Sequence, residues 1–270
     1  MVRAGLPLEG ELLALAAASH SGEPFHVEGA RRILALGEVD ESALLTPPEM
    51  PIDDEERIAV IVGGGQAAPV LMNCSGKHAA MLVTCVVNDW SLGDYTDPAH
   101  PLQIAIRDEI VDLAGEQPWA VGVDGCGAPI FALTLSGLAR AAAGCVLAEP
   151  GTPPRQVADA MRAHPEWVAG TRRDATALAR SLPGLLLKEG AEAVYMAAFD
   201  DGRAIALKID DGANRARPVV MAGILQALGI DNDVIAAHAH APLLGAGDIV
   251  GEIRPSSALR ACRSCATMTA

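Results

Sequence analysis

The spacing of apolar residues changes at Pro183-Gly184, and this change constrains the fold more than any other feature of the chain. Before this point, apolar residues recur at helical intervals. After it, short apolar runs have the length of strands, and two of them are joined by Asp200-Asp201-Gly202, a good hairpin signal. Helices and strands that segregate along a chain are typical of the α+β class. We therefore expect one domain over residues 1–270, with a helical part at about 9–182, a β-meander and closing helix at about 184–254, and a polar tail at 255–270.

The predicted elements follow this division, with Pro and Gly at their ends. The predicted helices are Glu11–Ala18, Val27–Leu36, Gly76–Val87, Leu102–Ala114, Ile130–Ala142, Arg155–Ala163, Asp174–Leu182 and Ala216–Leu228. The predicted strands are Leu185–Lys188, Ala193–Phe199 and Ala204–Ile209.

Charge and cysteine content exclude several classes of function. The formal net charge of −14 argues against nucleic acid and anionic membranes as partners, because both reward clustered basic residues. The apolar runs are shorter than the roughly 20 residues of a membrane-spanning helix. Six cysteines without a visible export signal are typical of reduced intracellular thiols, and Cys85 and Cys145 lie in apolar runs as expected of buried fillers. We therefore expect a soluble, cytoplasmic protein.

The segment Asn73-Cys74-Ser75-Gly76-Lys77-His78 gathers a thiol, an amine and an imidazole directly before an apolar helix. Ser75 can cap that helix, and Gly76 allows another backbone or a ligand to come close. A thiol and an amine three residues apart can share one face of a turn. The ammonium would then lower the thiol pKa, or the deprotonated pair could share a metal such as zinc. The simpler interpretation is a helix cap with an incidental buried cysteine.

A second segment, Asp124-Gly125-Cys126-Gly127, follows a short apolar strand. Its two glycines leave the backbone uncovered by side chains, so another group can come close to it. Asp124 could receive a substrate ammonium, and Cys126 could meet Cys74 across the fold. The alternative is a tight strand-to-helix turn stabilised by Asp124.

Two further positions offer a nucleophile and a base. Ser19, in Ser19-His20-Ser21-Gly22-Glu23, could act as a nucleophile if a base lies nearby in space, although capping and turn chemistry also explain this segment. Lys208 ends an apolar strand. If its side chain points inward, burial would lower its pKa toward that of a useful base, whereas an edge-strand lysine would face water.

Four segments, taken in chain order, resemble the L-asparaginase II family, the thermolabile rhizobial-type asparaginases: Ser19–Glu23, Asn73–His78, Val123–Gly127 and Ala206–Gly212. The resemblance extends from near residue 1 to about Arg254. The resemblance implies a fold like that of serine β-lactamases and glutaminases, with an antiparallel sheet flanked by helices and a helical region. It also implies hydrolysis of L-asparagine to L-aspartate and ammonia, and a homodimer.

The resemblance further implies roles for individual residues. Ser19 and Lys208 would form a serine–lysine catalytic pair, and Cys74, Lys77 and Cys126 would form a zinc site that aids substrate positioning, with no organic cofactor. Asp124 would hold the α-ammonium of asparagine. The remaining substrate-binding residues would be Asn73, His78, Ser21 and Glu23.

The sequence departs from the family pattern in one respect. Family members carry an upstream Ser-x-x-Lys, but none of the lysines here, Lys77, Lys188 and Lys208, has a serine three residues before it. Because loss of a nucleophile costs orders of magnitude in rate, we predict that a chain beginning at Met1 hydrolyses asparagine poorly or not at all.

Two other interpretations stay open. Cys74, activated by Lys77 or His78, would make a cysteine hydrolase, and a protein without catalysis could bind a small amino acid or zinc. The Cys262–Cys265 pair can bind metal or cycle redox state, but it lies in the polar tail beyond the family resemblance, with no second pair nearby.

Overall fold

The computed structural model describes residues 1–261 and has the expected α+β fold, with helices and small antiparallel sheets. Its helices are α1 Gly10–Ala16, α2 Pro24–Leu36, α3 Asp54–Val62, α4 Ser75–Val87, α5 Pro101–Ala114, α6 Leu135–Leu147, α7 Pro153–Ala163, α8 Pro165–Val168, α9 Asp174–Ser181, α10 Arg217–Ala227, α11 Asp233–His238 and α12 Ser257–Ala261. Its strands are β1 Ala120–Val123, β2 Pro129–Ala132, β3 Leu186–Glu189, β4 Val194–Ala198, β5 Ala204–Lys208, β6 Ala241–Gly245 and β7 Asp248–Ile253. No helix within these residues is both long and apolar enough to cross a membrane.

The predicted β-meander is confirmed as a three-stranded antiparallel sheet in the order β3-β4-β5. Because successive side chains alternate between the faces of a sheet, Tyr195, Ala197 and Leu207 point into one core with α9 and α10. Leu186 and Ala198 point the other way, into a larger core formed with α1, α2, α4, α6 and α7. The sheet is therefore covered on both faces, and its register decides which side chains face the larger core.

The helix predicted from Ile130 is wrong at its beginning, because residues 129–132 are strand β2, paired with β1 from Ala120↔Ala132 to Val123↔Pro129. Helix α6 begins only after Thr134, whose hydroxyl accepts a hydrogen bond from the Gly137 N–H at 2.9 Å. The strand-to-helix turn considered for Asp124 is therefore a β-hairpin. Helix α3 and the β6–β7 hairpin had no counterpart among the predicted elements.

Helices α1 and α4 meet closely at Gly76. A Cβ atom placed on Gly76 would lie 2.5 Å from Leu15 Cγ and 2.9 Å from the Leu15 carbonyl oxygen. Real Cβ atoms do not approach a backbone oxygen so closely, so only glycine permits this contact. The first turn of α4 is thereby held against the end of α1, directly before Ser19.

We expect Gly76→Ala to lower the free energy of unfolding by about 1–2 kcal/mol. Overpacking against a backbone atom costs about 1–3 kcal/mol. The roughly 1 kcal/mol that alanine gains over glycine in a helix offsets only part of this cost. Urea unfolding of the variant and the wild type measures the difference. Gly93→Ala is the matched control, because nothing lies within 4 Å of its Cβ position. Equal stability of the two variants would contradict this packing.

Candidate functional site

Four side chains from two distant segments converge in the larger core. The ligand atoms of Cys74, Asp124 and Cys126 all lie within 4.8 Å of one another. The amine of Lys77 lies 3.5 Å from Cys126 Sγ and 4.0 Å from Asp124 Oδ2. Both thiols are buried. We call these four residues the thiol–amine cluster.

Backbone geometry holds the two halves of the cluster. Cys74 is the N-cap residue of α4, whereas the Ser75 hydroxyl is hydrogen-bonded to His20 Nε2 at 3.0 Å instead of capping the helix. Cys126 lies in the β1–β2 turn. There the Asp124 N–H donates to the Ala128 carbonyl at 2.9 Å and the Gly127 N–H donates to the Asp124 carbonyl at 2.8 Å. Gly127 has φ +87°, a left-handed conformation that favours glycine.

The two thiols titrate very differently. A hydrogen bond with Cys126 lowers the pKa of Cys74 to about 6, against the opposing effect of burial, and the Lys77 charge contributes. The same hydrogen bond, and then burial, raise the pKa of Cys126 well above its ordinary value. Cys126 Sγ also lies 3.0 Å from Asp124 Oδ2 as a donor. At neutral pH Cys74 is therefore a thiolate, and Cys126 is a thiol whose single proton faces two anions.

The other two members of the cluster stay charged. Burial opposes a charge on Lys77, but Cys74, Cys126 and Asp124 together raise its pKa. Burial also opposes ionisation of Asp124, but hydrogen bonding from Cys126 and the Lys77 charge lower its pKa. One thiolate, one carboxylate and one ammonium leave a net charge of −1 in the metal-free cluster, which favours a cation as ligand.

The two residues of the predicted serine–lysine pair make hydrogen bonds to other groups. Lys208 lies at the end of β5, the edge strand, and its amine donates to the carbonyl oxygens of Glu192 at 2.7 Å and Ile209 at 2.9 Å. Ser19 is half-buried after α1, and its N–H donates to the Val168 carbonyl at 3.1 Å. No hydrogen bond joins Ser19 to Lys208 in the part of the chain that the structure describes, so their pairing stays a prediction.

The predicted substrate-binding residues divide into engaged and unpaired groups. Both carboxylate oxygens of Glu23 accept hydrogen bonds of 2.7 Å from Thr171, one from its N–H and one from its hydroxyl. Ser21 Oγ and Asn73 Oδ1 are buried and have no hydrogen-bond partner among the described residues. Because an unpaired buried polar atom is costly, a ligand that pairs with them would recover that energy.

Lys188 belongs to the same region, although no motif singled it out. It lies on β3 and lines an apolar cavity of about 250 Å³ with Met196 and Cys145. Burial lowers the pKa of Lys188 to about 8. The charge of Cys74 acts to raise this pKa, and the charge of Lys77 acts to lower it. The signal that could have found it is the one applied to Lys208, an apolar strand ending in lysine.

A second, larger cavity of about 600 Å³ reaches the cluster through Lys77. Its wall is mainly apolar, with Arg3 and Glu109 as the other charged residues lining it. Ala17, Cys145 and Val157 line both cavities. A volume of this size accommodates a small molecule.

Comparison with known families identifies the class of protein. The sequence model of the L-asparaginase II family matches residues 1–255, so the chain belongs to this family, as the four motifs predicted. Family membership implies an amidohydrolase that acts on a small-molecule substrate. A comparison with curated proteins found no match. The Cys262–Cys265 pair lies outside the described residues.

We expect Lys188→Met to stabilise the protein by about 2–3 kcal/mol at pH 7. The pKa of Lys188 falls from 10.5 to about 8 on folding. Below pH 8 the amine is therefore charged in both the folded and the unfolded protein, and the full cost of burying its charge lowers the free energy of unfolding. Between pH 8 and 10.5 the folded state loses its proton first, and the penalty declines. Urea unfolding at pH 7 and pH 9.5 should therefore show a smaller gain at the higher pH.

Lys208→Met is the control for this measurement, because its amine lies at the exposed end of an edge strand. It should give no stabilisation at either pH. A gain for Lys188→Met that does not depend on pH would contradict the role of the buried charge.

Proposed function

We propose that this protein is an L-asparaginase-type amidohydrolase, whose reaction is hydrolysis of the side-chain amide of L-asparagine to L-aspartate and ammonia. We expect its rate to be low, because none of its lysines has a serine three residues before it. The family match over residues 1–255 carries the proposal. The thiol–amine cluster supports it, because a buried cluster of net negative charge beside a cavity suits a small substrate with an ammonium group.

In this proposal Asp124 receives the α-ammonium of the substrate. Its carboxylate is ionised and half-buried, so an ion pair with the ammonium is only weakly screened by water. Ser21 Oγ, Asn73 Oδ1 and His78 Nε2 are buried polar atoms without a hydrogen-bond partner among the described residues, which suits them to the polar groups of asparagine. Glu23 contributes indirectly, since Thr171 already engages its carboxylate.

The donor set fits zinc. Thiolate sulfurs at about 2.3 Å from a tetrahedral zinc lie about 3.8 Å apart, which agrees with donor atoms confined within 4.8 Å. Cys74 and Cys126 would be two ligands, with Lys77 as the third. A zinc ion there would supply positive charge that keeps both thiols deprotonated. Deprotonation of Cys126 removes the donor that now faces Asp124, which leaves that carboxylate free for the substrate ammonium.

For the chemical step, we propose Ser19 as nucleophile and Lys208 as base. A neutral Lys208 amine takes the hydroxyl proton while Ser19 Oγ attacks the amide carbon, and ammonia leaves with a proton returned by the lysine. Water then hydrolyses the acyl-enzyme and releases aspartate. This step requires the Lys208 amine to leave the carbonyl oxygens of Glu192 and Ile209.

Ser19→Ala should lower the rate of ammonia release from L-asparagine by about three orders of magnitude or more, because a nucleophile has no substitute in this mechanism. Coupled detection of ammonia in the full chain measures it. Ser136→Ala, at an exposed position on α6, should keep the wild-type rate. Ammonia release by Ser19→Ala at the wild-type rate would reject Ser19 as nucleophile.

A binding protein without catalysis is the second candidate, favoured by the hydrogen bonds that hold the Lys208 amine at the carbonyl oxygens of Glu192 and Ile209. Asparagine would then raise the melting temperature without any release of ammonia.

A cysteine hydrolase is the third candidate, favoured by the low pKa of Cys74. Alkylation of metal-free protein with complete loss of ammonia release, together with full activity of Ser19→Ala, would select it.

Purified protein should bind one zinc ion per chain, and Cys74→Ser or Cys126→Ser should weaken this binding by at least about 100-fold, since serine cannot supply a thiolate. Zinc content after dialysis and competition with a chelator measure the affinity. Cys145→Ala is the matched control, because Cys145 lies in an apolar wall with its pKa raised to about 11 by burial. Retention of zinc by both serine variants would reject the site.

A further inference from the structure

Residues 49–68 form a flap that is closed at its neck and exposed along its helix. At the neck, Glu49 and Ala68 exchange backbone hydrogen bonds of 3.4 and 3.1 Å. Between them lies α3, of whose nine residues none is buried. The run Gly63-Gly64-Gly65 after this helix is also exposed. A segment with so few buried contacts opens at a lower free-energy cost than the core does.

The first part of the flap lies against Ser21, to which we assign a role in substrate binding. The Asp53 N–H donates to the Ser21 carbonyl oxygen at 3.1 Å. Pro51 packs so closely on Gly22 that a Cβ atom placed on this glycine would lie 2.7 Å from Pro51 Cβ. The flap therefore covers the backbone that carries the Ser21 side chain.

A second segment, at Gly170, also lies against Ser21. A Cβ atom placed on Gly170 would overlap Ser21 Oγ, so the backbone there packs directly on the hydroxyl. Ser21 Oγ is buried without a hydrogen-bond partner among the described residues. Neither of the two cavities described above has Ser21 in its lining. The hydroxyl is thus closed to a substrate in this conformation, and a covering segment must move before a ligand can reach it.

Arg172 joins the segment at Gly170 to the flap. Its Nη2 atom donates to Asp53 Oδ1 and to Glu56 Oε1, both at 2.7 Å, and its Nε atom donates to Asp53 Oδ2 at 3.2 Å. The Arg172 side chain is 37% exposed, so water and salt weaken these ion pairs. Exposed ion pairs of this kind can hold a flap closed and still let it open.

We propose that the flap is a lid over the Ser21 part of the substrate site, latched by Arg172 and opened when its ion pairs with Asp53 and Glu56 break. The run Gly63-Gly64-Gly65 absorbs the change in backbone angles, since glycine adopts conformations closed to other residues. Gly64 already has φ +73°. The inference rests on the proposed function only for what the lid covers.

The latch can be measured without substrate, by hydrogen–deuterium exchange resolved to single amides in the full chain. At fixed pH, the exchange rate of the Asp53 N–H reports how often the flap leaves the Ser21 carbonyl. Arg172→Met should raise this rate by about 5–20-fold, and Glu56→Gln, which removes one carboxylate partner, should raise it less. High salt should raise it in the wild type but not in Arg172→Met. The amide of Ala197, in the central strand β4, should keep its wild-type rate.

Arg203→Met is the matched control for the latch. Arg203 is also exposed and paired with a carboxylate, that of Asp201, but it lies beside the β4–β5 turn. This variant should leave the Asp53 exchange rate unchanged. A wild-type rate in Arg172→Met would overturn the latch. Equal acceleration of Asp53 and Ala197 in Arg172→Met would overturn it as well, because the arginine would then stabilise the whole fold and not the flap.

The position of the lid over the substrate is tested with L-asparagine and the Ser19→Ala chain, which should not consume it. At concentrations where asparagine raises the melting temperature, it should also slow exchange at Asp53, because the occupied site holds the flap closed. A higher melting temperature without slower exchange would overturn the role of the flap as a lid, and it would leave asparagine binding intact. If the melting temperature does not rise, the proposed substrate site fails and the lid fails with it, whereas the latch measured without substrate stands.

Discussion

The close contact between Gly76 and Leu15 sets the frame in which the candidate site is built. A side chain at Gly76 would push α4 away from α1. With the glycine, the first turn of α4 lies against α1, and Cys74 and Lys77 lie close to the β1–β2 turn. The hydrogen bond between His20 and Ser75 ties the segment after α1 to the same turn. Residues that are far apart in the sequence therefore share one environment because two helices can touch at a single small residue.

The site concentrates charge in a core that is otherwise apolar. Buried charges are costly unless they are paired, and the thiolate, carboxylate and ammonium of the thiol–amine cluster offset one another. Lys188 is compensated only in part, because the charges of Glu189 and Cys74 favour its ammonium form but burial outweighs them, and its amine lines an apolar cavity. A structure that keeps a lysine with a pKa of about 8 there gives up stability. A lysine with a lowered pKa beside a cluster of reactive residues is more typical of a functional site than of a residue that serves only to pack the core.

The sequence predicted the parts of the fold that have a strong local signal. The β4–β5 hairpin has strand-like apolar runs and a glycine turn, and most helix ends were found within a few residues. A short apolar strand before Asp124 was expected and is β1, but β2 was assigned to the start of a helix, because β2 is at most half-buried and shows no alternating pattern. Convergence of Cys74 and Cys126 was suggested by chemistry and strengthened by family resemblance. Lys188 and Lys208 look alike in sequence, and only the register separates them, since Lys188 pairs with Met196 while Lys208 ends the edge strand.

Charge also distinguishes two ways in which the cluster could hold zinc and substrate together. If Asp124 were the third ligand and Lys77 kept its proton, two thiolates, one carboxylate, one ammonium and Zn²⁺ would sum to zero, and the carboxylate would be occupied. If a neutral Lys77 were the ligand instead, the sum would be −1 and Asp124 would stay free. Only the second arrangement keeps a negative group for the ammonium of asparagine. It requires Lys77 to release a proton against its raised pKa, so zinc binding in that arrangement must strengthen as the pH rises.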